Sequence, residues 1–73
     1  MKDMKEFMEL MEIEIEKHQA QYGDSWKSMS IGKLFDRLDN KVDEFDLTMN
    51  KQKLISVANL AMFLYIRMKK EGK

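Results

Sequence analysis

The stretch LISVANLAMFLYIRM, Leu54 to Met68, decides how this chain folds: every position except Ser56, Asn59 and Arg67 is apolar. The chain has no Pro, and the Gly closest to this stretch is Gly72, so nothing inside it breaks a helix. The spacing predicts a helix over about Asn50 to Lys70, with Arg67, Lys69 and Lys70 at the negative end of its dipole. Lys51 and Lys53 sit at the opposite end, against that preference. A membrane span takes about 20 apolar residues, and this run is shorter and interrupted by polar groups. A helix apolar around most of its circumference must therefore find protein on most sides.

The preceding segments supply two such covers. Ile31, Leu34, Phe35, Leu38, Val42 and Phe45 share an arc of roughly 100° on a helix over Ile31 to Asp46. Ser28 or Ser30 is placed to cap that helix, and Thr48 or Asn50 to cap the next. Met4, Phe7, Met8, Met11, Ile15, His18 and Tyr22 share a similar arc on a first helix over Lys2 to Gln21. Glu9, Glu12 and Glu16 lie on its far side. Gly23, Asp24 and Ser25 form the clearest turn signal, with Gly23 suited to close the first helix. The expected fold is all-α, a single domain over 1–73 with three helices and a short loop between helices 1 and 2. Two amphipathic neighbours cover only part of the third helix. A second copy is expected to cover the rest, giving a helical-bundle homodimer with Leu60, Phe63, Leu64 and Tyr65 at the interface.

Composition points the same way. The chain has 73 residues, no Cys and one His, so disulfides and Cys-based zinc sites cannot reinforce it. A chain of this size buries only about 60% of the surface it exposes when unfolded, which makes self-association an economical source of stability. Its 44% apolar content is too high for a disordered chain. Thirteen basic against thirteen acidic residues argues against nucleic-acid and membrane-surface partners. The first residues alternate Met with Glu and Lys and carry no apolar run. No signal peptide is expected, and the cytoplasm is the expected compartment. Charge is nevertheless segregated: residues 1–16 carry a net −4 and residues 49–73 a net +5. Opposite signs of this kind can pair within or between chains.

The segments RLDNKVDEF (Arg37–Phe45) and KLISVANLAMFL (Lys53–Leu64) resemble the MazG-like nucleotide pyrophosphohydrolases. The best-matching part is Val57, Ala58 and Asn59. The segment YGDSW (Tyr22–Trp26) is also similar to the loop of small phage-type members. The resemblance implies an all-α fold in which an E-E-x-x-E helix faces an E-x-x-D helix. In that family the carboxylates hold Mg²⁺, which clamps a nucleoside triphosphate and activates water. On this sequence the five ligand positions become Asn40, Lys41, Glu44, Lys53 and Ser56, of which only Glu44 is acidic. Two ammonium groups repel a divalent ion strongly even at an effective dielectric near 20. The expectation is a degenerate metal site with no catalytic residue, no metal and no cofactor. The alternative is an Mg²⁺-dependent hydrolase using Glu44 and the stripe Asp36, Asp39, Asp43 and Asp46. On a helical wheel, that stripe lies on the other flank of the apolar arc and reads as a solvated face.

Lys41, Glu44, Lys53, Ser56 and Asn59 are expected to converge between helices 2 and 3. One reading makes them a structural polar network, with Glu44 paired to Lys41 or Lys53 and with Ser56 and Asn59 bonding across helices. The other makes them an anion or nucleotide contact, with Trp26 and Tyr22 available to stack on a base. His18 reads as a packing histidine and the Met residues as gap fillers, although the Met-rich arc of helix 1 also suits an adaptable interface. The basic C-terminal end lacks the interleaved aromatics of a nucleic-acid site. The function expected is a dimeric binding or interaction module. Its partners would be itself and either a nucleotide or another protein.

Overall fold

The computed structural model describes residues 1–22 and 24–72, and for residues 20–22 the backbone alone. Among the described residues the chain is helical and has no strand: α1 spans Lys2–Tyr22, α2 spans Ile31–Thr48 and α3 spans Gln52–Lys70. A short 3-10 turn over Ser25–Lys27, read from sequence only as loop, follows α1. Gly23 and the side chain of Tyr22, assigned from sequence to the turn and to base stacking, lie outside the described residues, as does Lys73.

Ser30, not Ser28, caps α2: its hydroxyl accepts from the Lys33 amide at 3.2 Å. α2 runs two residues beyond the expected Asp46 because Thr48 turns its hydroxyl back to the Glu44 carbonyl at 2.7 Å. Met49 then adopts φ 52°, the left-handed conformation that ends many helices, and its amide returns to the Phe45 carbonyl. Asn50 accepts from the Gln52 amide at 3.0 Å in the turn ahead of α3, whose cap position is Lys51 and not the expected Thr48 or Asn50. Three residues thus suffice to reverse the chain, so α2 and α3 form a helical hairpin.

α3 is the central element, packed on α2 along one flank and on α1 along another. Leu34 of α2 is 0% exposed and Ile55 of α3 is 5% exposed, and among the described residues these two are the whole buried apolar core. The radius of gyration is 12.6 Å, against about 11 Å for a compact chain of this length. Several expected core positions are open. Phe35 and Val42 of the α2 arc are exposed, and so are Met4, Phe7 and Met8 of the α1 arc. Met11 and Ile15 are half-buried against α3. Methionine as gap filler needs the same correction: Met1, Met4, Met8, Met49 and Met68 are exposed, because one chain has too few helices to enclose them.

Candidate functional site

The helical hairpin sets the geometry of the polar cluster. Lys41 and Glu44 stand three apart on α2, on one face, and the Lys41 Nζ lies 3.0 Å from Glu44 Oε2. Lys53, in the first turn of α3, donates to the other oxygen of the same carboxylate at 3.4 Å. Glu44 is therefore held between two ammonium groups. The hydrogen bond from Lys41 lowers its pKa below the ordinary 4.5, Lys53 adds to the effect, and partial burial opposes it.

Ser56 and Asn59 point elsewhere. They lie three apart on α3 and both reach α1 instead of the α2 cluster. The Ser56 hydroxyl donates to Glu14 Oε1 at 2.7 Å, and Asn59 Nδ2 donates to the Met11 carbonyl at 3.1 Å. Only the amide nitrogen can face a carbonyl oxygen, which fixes the orientation of the Asn59 side chain. Its Oδ1 is buried and has no donor among the described residues. The expected convergence of five residues between helices 2 and 3 thus becomes two networks, one on each flank of α3.

The two networks border one cavity of about 390 Å³. α1 contributes Glu14, Ile15 and His18 to its wall, and α2 contributes Leu34, Arg37, Asn40, Lys41 and Glu44. α3 forms the floor with Ser56, Asn59, Leu60 and Phe63. Trp26 lines the cavity too, but its ring is already stacked on Phe63, with centroids 4.4 Å apart and planes 9° from parallel. Lys27 Nζ stands 5.7 Å from the same ring. His18 is not packed into a core: its side chain is half-exposed, with Nε2 3.9 Å from Glu14 Oε1.

Of the interface residues expected from sequence, Leu60 and Phe63 line the cavity inside the chain, Leu64 is half-buried and Tyr65 is exposed. Asp36, Asp39, Asp43 and Asp46 are all exposed. Among the described residues no group of three or more acidic, His or Cys side chains stands close enough to hold a metal ion, and no helix is long and apolar enough to cross a membrane.

Two residues carry more than their sequence signals suggested. Glu14 reads as one charge in an acidic run, yet it anchors Ser56. Its place at the edge of the α1 apolar arc is the signal that marks it. Arg67 reads as a dipole partner, yet its guanidinium donates to the Trp26 carbonyl at 2.9 Å, to the Met29 carbonyl and to Glu71 at 2.8 Å. It straps the α1–α2 connection onto the end of α3. Compared with family models, curated proteins and solved structures, the chain matches none.

Proposed function

We propose that this chain is a helical binding module that works as a homodimer and carries out no metal-dependent hydrolysis. The observation that carries the reading is the imbalance of its apolar surface. Among the described residues Leu34 and Ile55 are enclosed, while thirteen large hydrophobic residues from Met1 to Met68 are exposed. Apolar side chains left open on all three helices are surface that a second copy is the economical way to cover. MazG-like descent belongs to the proposal and rests on the likeness around Val57, Ala58 and Asn59. The cytoplasm as its compartment is also proposed, from the Cys-free composition.

The absence of hydrolysis is argued from charge. A magnesium ion beside Glu44 would meet the ammonium groups that already share its carboxylate, and magnesium dehydrates reluctantly even for favourable oxygen ligands. The cavity between α1 and α2 is the natural seat for a small ligand. Lys41 and Lys53 are committed to Glu44, which favours the structural reading of that cluster over an anion clamp.

Sedimentation equilibrium at micromolar concentration tests the homodimer, and a monomer mass throughout that range overturns it. Pyrophosphate release from nucleoside triphosphates with and without Mg²⁺ or Mn²⁺ tests the rest. No metal-stimulated turnover is expected, and turnover would restore the hydrolase reading. Nucleotide binding in EDTA would instead identify the cavity ligand.

A further inference from the structure

The face of α3 turned away from the cavity has a pattern of its own. Leu54, Ala58, Ala61, Tyr65 and Met68 follow at spacings of four and three, the 3.5-residue period of a helix–helix seam. At 100° per residue they fall within an arc of about 80°, centred roughly opposite Ser56, Asn59, Leu60 and Phe63 on the cavity floor. Four of the five are exposed: Leu54 to 41%, Tyr65 to 68%, Met68 to 40%, and Ala61. The alanines at the centre let another helix approach closely.

α2 continues this face. Arg37, Asn40 and Glu44 turn to the cavity, and Phe35 and Val42 occupy the other flank of the same helix, 55% and 45% exposed. Asp39 and Asp46 edge that flank, with Asp36 and Asp43 one step further round. The neighbouring helix has the opposite sign. From Lys51 to Lys70 the chain carries five basic residues and no acidic one, and Lys51 and Lys69 border the α3 seam. One hairpin thus presents an apolar strip with an acidic edge on α2 and a basic edge on α3. A two-fold axis turns such a surface into its own complement.

We propose that this outer face of the α2–α3 hairpin is the self-association surface. Two hairpins close into a four-helix bundle in which each α3 lies between its own α2 and the partner's α2. The aspartate stripe is then the acidic rim of the interface, facing the partner's basic helix. α1 and the cavity remain outside the bundle, one on each side. This assignment rests on the homodimer proposed above and names the surface that forms it.

Ala61→Glu and Tyr65→Glu place a charge on the seam at exposed positions of the single chain, and Leu10→Glu places one on the exposed side of α1. Sedimentation equilibrium is expected to show a dissociation constant raised at least tenfold for the two seam variants and unchanged for Leu10→Glu, with helical circular dichroism retained in all three. A charge exchange supplies the second arm. Asp39→Lys/Asp46→Lys and Lys51→Glu/Lys69→Glu should each weaken self-association, and mixing the two should restore a dimer, since both α2–α3 contacts of the mixed pair join opposite charges. A native chain that stays monomeric overturns the homodimer itself. A native dimer indifferent to both seam variants, or one dissociated by Leu10→Glu, overturns this face and leaves the dimer standing. Mixing that fails to restore association overturns the role of the acidic rim.

Discussion

Lys53, in the first turn of α3, meets Glu44, one turn before the end of α2, at 3.4 Å across the helix reversal, on a carboxylate that Lys41 already holds at 3.0 Å. The cluster ties the two helices at their junction, and its strength depends on the charge of Glu44. The carboxyl pKa is lowered in the folded chain, so its contribution is present above the unfolded pKa and disappears as pH falls through the lowered folded value. Urea unfolding of the native chain and of Glu44→Gln is therefore expected to differ at neutral pH. The two should converge only in acid, once the pH has fallen below the ordinary carboxylate range and through the lowered folded value. A difference that persists unchanged into acid would mean that the pair contributes nothing through its charge.

Asn59 is 3% exposed and bonds the Met11 carbonyl of α1. Asn59→Ala removes that bond and opens a void between α1 and α3, at an expected cost of about 1–3 kcal/mol. Asn59→Leu removes the unsatisfied Oδ1 along with the bond and fills the space, so it should cost less than Ala. Denaturant midpoints give the order, and faster amide exchange in α1 than in α2 would locate the loss. Equal exchange in both helices would refute the assignment of this residue to the α1–α3 contact.

Arg67 holds the carbonyls of Trp26 and Met29 while pairing with Glu71. Arg67→Lys keeps the charge but loses the planar fork of donors. Trp26 is the single tryptophan, so its fluorescence reports directly on the strap. A red-shifted emission is expected for Arg67→Lys, and a smaller shift for Glu71→Gln, which leaves the carbonyl contacts in place. Identical spectra for the native and Arg67→Lys chains would show that the strap does not position the indole.

Leu34 is the one side chain that α2 encloses fully. Leu34→Ala is expected to cost about 2–5 kcal/mol, enough to unfold a marginal chain of this size, and thermal melting by circular dichroism measures it. Ser30→Ala, which removes the α2 cap, is expected to cost about 1 kcal/mol. The ranking checks whether tertiary burial or local capping dominates α2.

The helices were legible because they depend on local chemistry. A Pro-free chain with apolar residues at three- and four-residue spacing has little choice but to coil, and α1 and α2 begin where the pattern says. The pairing of Glu44 with lysines was legible for the same reason, since Lys41 sits three residues away on one helix face. The ends were less so. Thr48 and Met49 carry α2 past Asp46 through a hydroxyl and a left-handed residue, and several Ser, Thr and Asn residues offer competing caps in the sequence.

What the residues determine alone is thus an all-helical chain, a carboxylate placed among ammonium groups, and more apolar surface than one small molecule can hide. Periodicity and charge set these, and both are properties of neighbours along the chain. Which flank of α3 meets which helix is decided only by packing. That packing sends Ser56 and Asn59 to α1, turns Phe63 onto Trp26, makes Arg67 a strap and leaves Tyr65 in solvent. A helix apolar around most of its circumference does not say in its own sequence which neighbour each flank will meet, and the volumes and hydrogen-bonding groups of the neighbouring helices choose it.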